Sequence, residues 1–571
     1  MLDESTITEA RKTEATTISR RGLMQGAVAV AGGALVSSLG SAIPAAAQAA
    51  DAKPGKSGGQ IVAASIHNNV AETDSGKIAG YERKGIVVFK GVPYGGSTEG
   101  KNRFMPPTKP TPWTGVRPAM YWGWVSPQPF TNSVKGRRGG WAHDDEAWMF
   151  EWEDGKPSED CLRLNVWTPG LDNKKRPVIF WIHGGGFYSG SSYELKAYEG
   201  ENLARRGDVV VVSMNHRLGP LGYMNLAEFG EQYASSANAG MLDIVAALQW
   251  VKTNVANFGG DPGKVMIFGQ SGGGRKTSSL LGMPAAKGLF HRASIQSSDP
   301  YSQGSFETTA KAAAAVVKQL GLTKDTIGKI HELSVEAIIA AGLDANPGNS
   351  WIAVVDGKIL PRKTFDPTAT EISADVPVMF GSVLNEMANT IQMGDASLEN
   401  MSLDEAKKRM TAQYKERTDA VIAAVQHDFP NAKPFEVYSR AAGVNMRLNL
   451  VKAAGAKAAL GKAPAYNYLF QWQTPLLDGR PRSFHCSELP FVFYNTDLCE
   501  RMTGGGAVPM ALSAKMADAW INFARNGNPN HADLPNWPAF SSATVPTMVF
   551  DNTCEVKQNH DGAIRKAMTG A

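Results

Sequence analysis

The chain has 571 residues, of which 20% are charged and 43% hydrophobic, with a formal net charge of +4. These are the proportions of a soluble globular protein, long enough for several domains or one large one. No basic cluster interleaves with aromatics, which argues against nucleic acid as a partner, and four cysteines in such a length do not make a disulfide framework.

The N-terminus carries Ser19-Arg20-Arg21-Gly22-Leu23-Met24, a weakly apolar stretch rich in Ala, Gly and Val, and then Ala47-Gln48-Ala49, an A-x-A cleavage pattern. This reads as a twin-arginine export signal, and its Gly and Ser interruptions argue against a membrane anchor. Residues 1 to 49 are set apart from the fold, and no later segment is apolar enough over sufficient length to cross a bilayer. The mature chain is therefore expected in the bacterial periplasm or secreted, without membrane attachment once the signal is removed. Export of an already folded chain fits sparse cysteines. Cys161, Cys486, Cys499 and Cys554 read as buried thiols, with a Cys499–Cys554 bridge as the alternative.

After a polar lead-in over 50 to 60, Gly85 to Tyr94 reads as a strand running into a turn, and Arg103-Phe104-Met105-Pro106-Pro107 as irregular chain. Trp113, Trp122, Trp124, Trp141, Trp148 and Trp152 then crowd together. They either pack a long irregular loop or roof a cleft. Arg163 to Trp167 alternates as a strand, and Pro177 to Ile182 is a buried strand that runs into His183-Gly184-Gly185-Gly186-Phe187. Successive glycines let backbone N–H groups turn toward a ligand with no Cβ in the way. Asp208 to Met214 is another buried strand, and a helix is predicted over 241 to 256. Strands alternating with helices predict a mostly parallel sheet covered on both faces.

Val265-Met266-Ile267-Phe268 is apolar and partly β-branched, a strand buried on both faces. It ends in Gly269-Gln270-Ser271-Gly272-Gly273, and a helix is predicted from Arg275 to Leu281. A strand, a Gly-flanked turn and a helix describe a nucleophile elbow, with Ser271 at the carboxyl end of the sheet and a helix N-terminus behind it. The preceding glycine run then reads as an oxyanion loop.

The stretches EDCLRLNVWTP (159 to 169), HGGGF (183 to 187), NHRLGPLGYM (215 to 224), FGG-x4-VMIFGQSGG and Asn522-Phe523-Ala524-Arg525-Asn526-Gly527-Asn528-Pro529 together resemble the signature segments of type-B carboxylesterases, the cholinesterase-like branch of the α/β-hydrolases. The resemblance spans about residues 60 to 560, which implies one α/β-hydrolase domain over 50 to 571, with helical and loop insertions capping the site. It implies a serine ester hydrolase acting on a small-molecule ester, with no metal and no cofactor. A lipase or an amidase on the same machinery is the alternative, and a non-catalytic binding relative a more distant one. Oligomeric state is left open.

In this fold the chain order is Ser, acid, His. His485 lies in a loop beyond the predicted strand Tyr466 to Gln471, in a stretch that resembles the family's His motif, whereas His331 and His427 read as solvated. Two acids compete: Asp356 in Val355-Asp356-Gly357, read as a turn, and Glu386, which follows the strand Val376 to Gly381. An acid that orients an imidazole belongs at a strand's carboxyl end, and the family acid is a Glu in such a place; both favour Glu386. Met387 stands where the family usually has Gly. The expected oxyanion donors are the N–H groups of Gly185, Gly186 and Gly272, and the expected substrate-binding residues are Phe187, Trp141 and Trp148. In disulfide-bearing relatives a Cys at the position of Cys161 closes a loop with an upstream Cys; none precedes Cys161 here, and the Trp-rich segment of about 120 to 158 is expected to roof the site in its place.

Overall fold

Alternate residues of the buried strands go to opposite faces of one sheet, and each face has its own apolar layer. A computed structural model describes residues 61–129, 144–346, 351–386 and 396–570. In chain order the sheet strands are β1 (Val62–Ala64), β2 (Tyr81–Arg83), β3 (Ile86–Pro93), β4 (Arg163–Thr168), β5 (Arg176–Ile182), β6 (Val210–Met214), β7 (Gly260–Gln270), β8 (Arg292–Gln296), β9 (Val378–Val383), β10 (Ala465–Phe470), β11 (Pro546–Phe550) and β12 (Glu555–Gln558). Their spatial order is β1-β2-β3-β4-β6-β5-β7-β8-β9-β10-β11-β12. From β6 to β11 every neighbour is parallel, and the strands outside that block pair antiparallel.

Val178, Phe180 and Ile182 join Val210, Val212, Val265 and Ile267 on one face, where helix α2 (Ala239–Asn254) contributes Ile244, Leu248 and Val251. Ile179, Trp181, Val211, Met266 and Phe268 face the other way and meet Met516, Trp520 and Phe523 of a later helix, Ala507–Asn526. Period-two side-chain direction in strands makes this partition automatic, and burial of both faces explains why the central strands are near-continuous apolar runs. The sheet and its flanking helices form the α/β-hydrolase fold expected from the sequence. A short helix, α1 (Asp144–Phe150), lies before β4, and a small separate core gathers Met410, Tyr414, Val421, Val425 and Val444 on helices between β9 and β10.

All four cysteines are buried thiols, so the Cys499–Cys554 alternative is not taken up. No helix of the described residues is long and apolar enough to cross a membrane. The export-signal reading of residues 1 to 49 lies outside the described residues.

Candidate active site

Ser271 stands where β7 stops and the helix α3 (Gly272–Leu281) begins, at φ 56° and ψ −121°. A serine held at positive φ is strained by about 1–3 kcal/mol, and the neighbours that make the turn possible are glycines with no room for a Cβ. A Cβ on Gly269 would lie 2.4 Å from the Gly273 carbonyl carbon, and one on Gly273 would lie 2.0 Å from the Ile182 carbonyl oxygen. Helix and strand therefore approach through bare backbone. The Ser271 N–H donates to the Gln296 carbonyl at 2.9 Å, tying the elbow to β8.

The glycine run leaves the end of β5 and folds against this elbow. Gly185 and Gly186 sit at φ 73° and 65°. A Cβ on Gly272 would come within 2.1 Å of the Gly186 oxygen and 2.5 Å of its nitrogen, and one on Gly184 would be 3.6 Å from the Ser271 Cβ. Among the described residues no protein group accepts the N–H of Gly185, Gly186 or Gly272. Three uncommitted donors thus border the serine. Phe187 is buried, its ring edge-on to Tyr223 at 4.9 Å, so it anchors the loop in the core.

Glu386 and His485 come from the loops that follow β9 and β10, the second and third strands over from β7. Each side chain is 1% exposed, and Glu386 Oε2 meets His485 Nδ1 at 2.6 Å. The other carboxylate oxygen accepts the Val383 N–H at 3.1 Å, and the His485 N–H donates to the Glu386 carbonyl at 3.2 Å. The Asn385 N–H joins the two loops further by donating to the Ser483 carbonyl, and the Ser483 hydroxyl ties its own loop back to the end of β10 at the Phe470 carbonyl, both at 2.9 Å. Arg447 donates to the carbonyls of Val383 and Leu384 at 3.1 and 3.2 Å and pairs with Asp561 at 2.6 Å, bracing the acid's loop from behind. Burial pushes the nearby Glu488 carboxyl up to about 8, with the charge of Glu386 adding to the rise, so a neutral acid sits beside the carboxylate at pH 7.

Among the described residues no hydrogen bond joins the Ser271 hydroxyl to His485. The ring's Nε2 faces the Gln270 side-chain amide at 3.2 Å, and Cys486 Sγ reaches the Gln270 oxygen at 3.3 Å. Gln270 is adjacent to Ser271 in the motif, yet the sequence gives no sign that its amide turns toward an imidazole 215 positions away. Lys276 was also missed: on α3, it is fully buried behind the glycine loop. Asp356 makes the turn expected of it, Oδ1 accepting the N–H groups of residues 358 to 360 at 2.8 to 3.1 Å. His427 is exposed, as expected. His331 is not solvated: it is half-buried, stacked on Tyr233, and bonds the Tyr233 hydroxyl and the Gly100 carbonyl, both at 2.9 Å.

Of the Trp-rich segment, Trp141 lies outside the described residues. Trp148 is 43% exposed, with the Arg501 guanidinium 5.7 Å from its ring centroid. Trp122 stacks on Tyr193 at 4.7 Å, and Trp152 on Phe150 at 4.8 Å. Phe150 meets Phe484, the residue before His485, edge-on at 5.7 Å. One end of the segment therefore touches the His485 loop. Among the described residues, Asp518, His531 and Asp533 converge closely enough to share a cation, but Asp518 already pairs with Arg206 and the His531 Nε2 with the Lys515 carbonyl.

The carboxylesterase family profile matches residues 67–565. The para-nitrobenzyl esterase of Bacillus subtilis (strain 168) is 32% identical over 516 residues, covering 88% of this chain and 98% of the relative. The phenmedipham hydrolase of Pseudarthrobacter oxydans is 32% identical over 515 residues, covering 86% and 97%. Among solved structures, a Geobacillus stearothermophilus carboxylesterase superposes with a TM-score of 0.75 at 34% identity, over 88% of this chain and all of that one. A Clostridium hathewayi esterase, described as able to hydrolyse aliphatic aromatic polyesters, gives 0.75 at 35% identity over 88% and 98%.

Proposed function

The chain belongs to the carboxylesterase family and is a carboxylic ester hydrolase, and from that premise we propose that Ser271, His485 and Glu386 are its nucleophile, general base and orienting acid. The observation that carries the assignment is the buried Glu386–His485 contact of 2.6 Å, on the loops after the second and third strands over from the one that presents Ser271 at positive φ. Glu386 on Nδ1 leaves the lone pair of His485 on Nε2. Rotation of the Gln270 side chain off Nε2 frees that lone pair to take the Ser271 proton as Oγ attacks the ester carbonyl. The N–H groups of Gly185, Gly186 and Gly272 receive the oxyanion. His485 then protonates the leaving alcohol, and water hydrolyses the acyl-enzyme by the same route in reverse.

The substrates we propose are small to medium esters, aromatic ones among them. Two comparisons support this: one relative is named for para-nitrobenzyl esters and one structural neighbour for aliphatic aromatic polyesters. The test is a panel of p-nitrophenyl esters of rising acyl length, with para-nitrobenzyl acetate, a long-chain triglyceride and an anilide, run on parent, Ser271→Ala and Trp148→Ala. Ser271→Ala should lose about three to six orders of magnitude in rate. Near-parental turnover in that variant removes the nucleophile assignment. Preference for the triglyceride makes the protein a lipase, and comparable anilide turnover an amidase. An unchanged chain-length profile in Trp148→Ala takes that residue out of the substrate site.

We also propose export by the twin-arginine route, on Arg20-Arg21 and the weak apolar stretch that follows. Replacing both arginines by lysine should leave the precursor in the cytoplasm, as fractionation of an expressing bacterium reads directly. Continued export of that variant overturns the assignment.

A further inference from the structure

We propose that Lys276 is a positioning residue for the oxyanion hole: it grips the glycine loop from behind by its carbonyl oxygens and so aims the Gly185 N–H at the reacting ester. The inference rests on the oxyanion role proposed above for Gly185, Gly186 and Gly272. Lys276 is 0% exposed, an unusual state for a lysine. Among the described residues no carboxylate lies within ion-pair distance of it; its Nζ donates to the carbonyls of His183 at 3.1 Å and Gly184 at 3.4 Å. The Phe187 ring lies 5.5 Å away on the same side. A buried cation is costly unless its donors are satisfied, and two of its three are taken up by oxygens of the one loop that borders Ser271.

A peptide unit is planar and trans, so its C=O and N–H point in opposite directions. Fixing the Gly184 oxygen toward Lys276 therefore fixes the Gly185 N–H toward the opposite side, where the serine stands. The next peptide plane has its own anchor, the Gly185 carbonyl accepting the Ser189 N–H at 3.0 Å and the Ser189 hydroxyl at 2.9 Å, so it is the plane between Gly184 and Gly185, flanked by glycines free to turn, that needs the tether. The His183 Nδ1, 3.1 Å from the same Gly184 oxygen, supplies a second donor. A donor on a carbonyl oxygen also polarises the peptide and strengthens its N–H as a donor. Lys276 lies on α3, five residues after Ser271, so loop and nucleophile are fastened to one helix. Burial lowers its ammonium to about 7, opposed by Glu194 and reinforced by Arg275. A neutral amine keeps two N–H donors for the two carbonyls, so the tether holds in either protonation state.

The test compares Lys276→Met, which keeps the volume and loses the donors, with Lys276→Gln, which keeps an N–H donor. Parent and Ser271→Ala accompany them in full-length purified enzyme. Readouts are kcat and KM on p-nitrophenyl acetate, thermal melting, and the inhibition constant of an aryl trifluoromethyl ketone. With this ketone, serine Oγ bonds to the carbonyl carbon, the carbonyl electron pair moves to oxygen as the oxyanion, and the serine proton passes to His485. Lys276→Met should lose about ten- to a hundred-fold in kcat, short of what removal of a whole donor costs, with KM changed less than about two-fold. Affinity for the ketone should fall in step, and Lys276→Gln should recover part of both. Parental kcat and ketone affinity in Lys276→Met, a loss confined to KM, or equal losses in both variants overturn the proposal. Should Lys276→Met not fold, Lys276→Leu, which also lacks a donor, takes its place in the same comparison: a fall in kcat matched by the ketone supports the tether, and parental values on both end it. Activity surviving in Ser271→Ala would instead remove the site assignment itself, whatever the lysine variants do.

Discussion

Gly273 carries the closest backbone approach at the elbow, and adding one methyl group there is a direct trial of the site's geometry. An alanine Cβ would lie 2.0 Å from the Ile182 carbonyl oxygen and 2.9 Å from that of His183. Both atoms are backbone at the end of β5, so no side-chain rotation relieves the contact. Ordinary contact begins near 3.4 Å, so α3 and β5 must separate by about 1.4 Å, the difference between 3.4 and 2.0. That movement carries Ser271 away from Gly185 and Gly186. Overpacking of this kind costs about 1–3 kcal/mol, and a displacement of about 1 Å at a reacting group costs about a hundred-fold in rate. Gly273→Ala should therefore fold, melt a few degrees lower, and lose about a hundred-fold in kcat on p-nitrophenyl acetate. Gly328→Ala is the control, since a Cβ there meets nothing within 4 Å and its φ is not positive; it should behave as the parent does. Turnover by Gly273→Ala within about two-fold of the parent would refute the reasoning, because the elbow and the glycine loop would then tolerate a shift that oxyanion geometry forbids.

Glu386→Gln should cost about 10³- to 10⁴-fold in kcat by giving His485 the wrong hydrogen-bond partner, whereas Asp356→Asn should leave kcat near the parental value and cost stability by about 1 kcal/mol through its N–H cradle; steady-state kinetics of the pair ranks them, and the opposite order transfers the acid's role to Asp356. Arg447→Met should destabilise by about 3–5 kcal/mol in urea unfolding, because it leaves the buried Asp561 carboxylate with His560 Nδ1 at 2.9 Å but no guanidinium, and removes a donor from the loop that holds Glu386. Burial alone would raise Asp561, but Arg447 and His560 outweigh it and hold the carboxyl well below the usual range. A depressed carboxyl contributes stability above its unfolded value of about 3.9 and loses it as pH falls further, while a buried one that has lost its guanidinium is shifted toward the protonated form. The gap between parent and variant should thus narrow from pH 7 to pH 5; a gap independent of pH counts against an ionised Asp561 as the cause.

The central strands were legible because burial on both faces leaves a near-continuous apolar run, and the elbow because a serine between glycines at a strand's end has few other uses. The expectation that Glu386 meets His485 draws on two signals, its position beyond the carboxyl end of β9 and the Glu that the family carries in such a place. What the sequence hid are contacts set by the tertiary fold. His331 reads as solvated because the Tyr233 that stacks on it is 98 positions away. Lys276 is one residue of a predicted helix, with no sign of its burial, until the glycine loop is laid over it. The Gln270 amide turned toward His485 is equally silent, since nothing local distinguishes it from any polar residue before a nucleophile.

The three groups proposed for catalysis follow three strands of the sheet, at sequence positions 271, 386 and 485, spread from the middle of the chain toward its end, and β11, which closes the parallel block, begins only at Pro546. Loop closure over such separations is slow, and chains of this size fold through intermediates. A nascent chain released short of β11 would carry all three groups without the strand that completes their platform. Ester turnover therefore reports the whole polypeptide at once: it should return late in refolding, after helix content and collapse, which makes it a more stringent measure of native assembly than any spectroscopic probe of the early sheet.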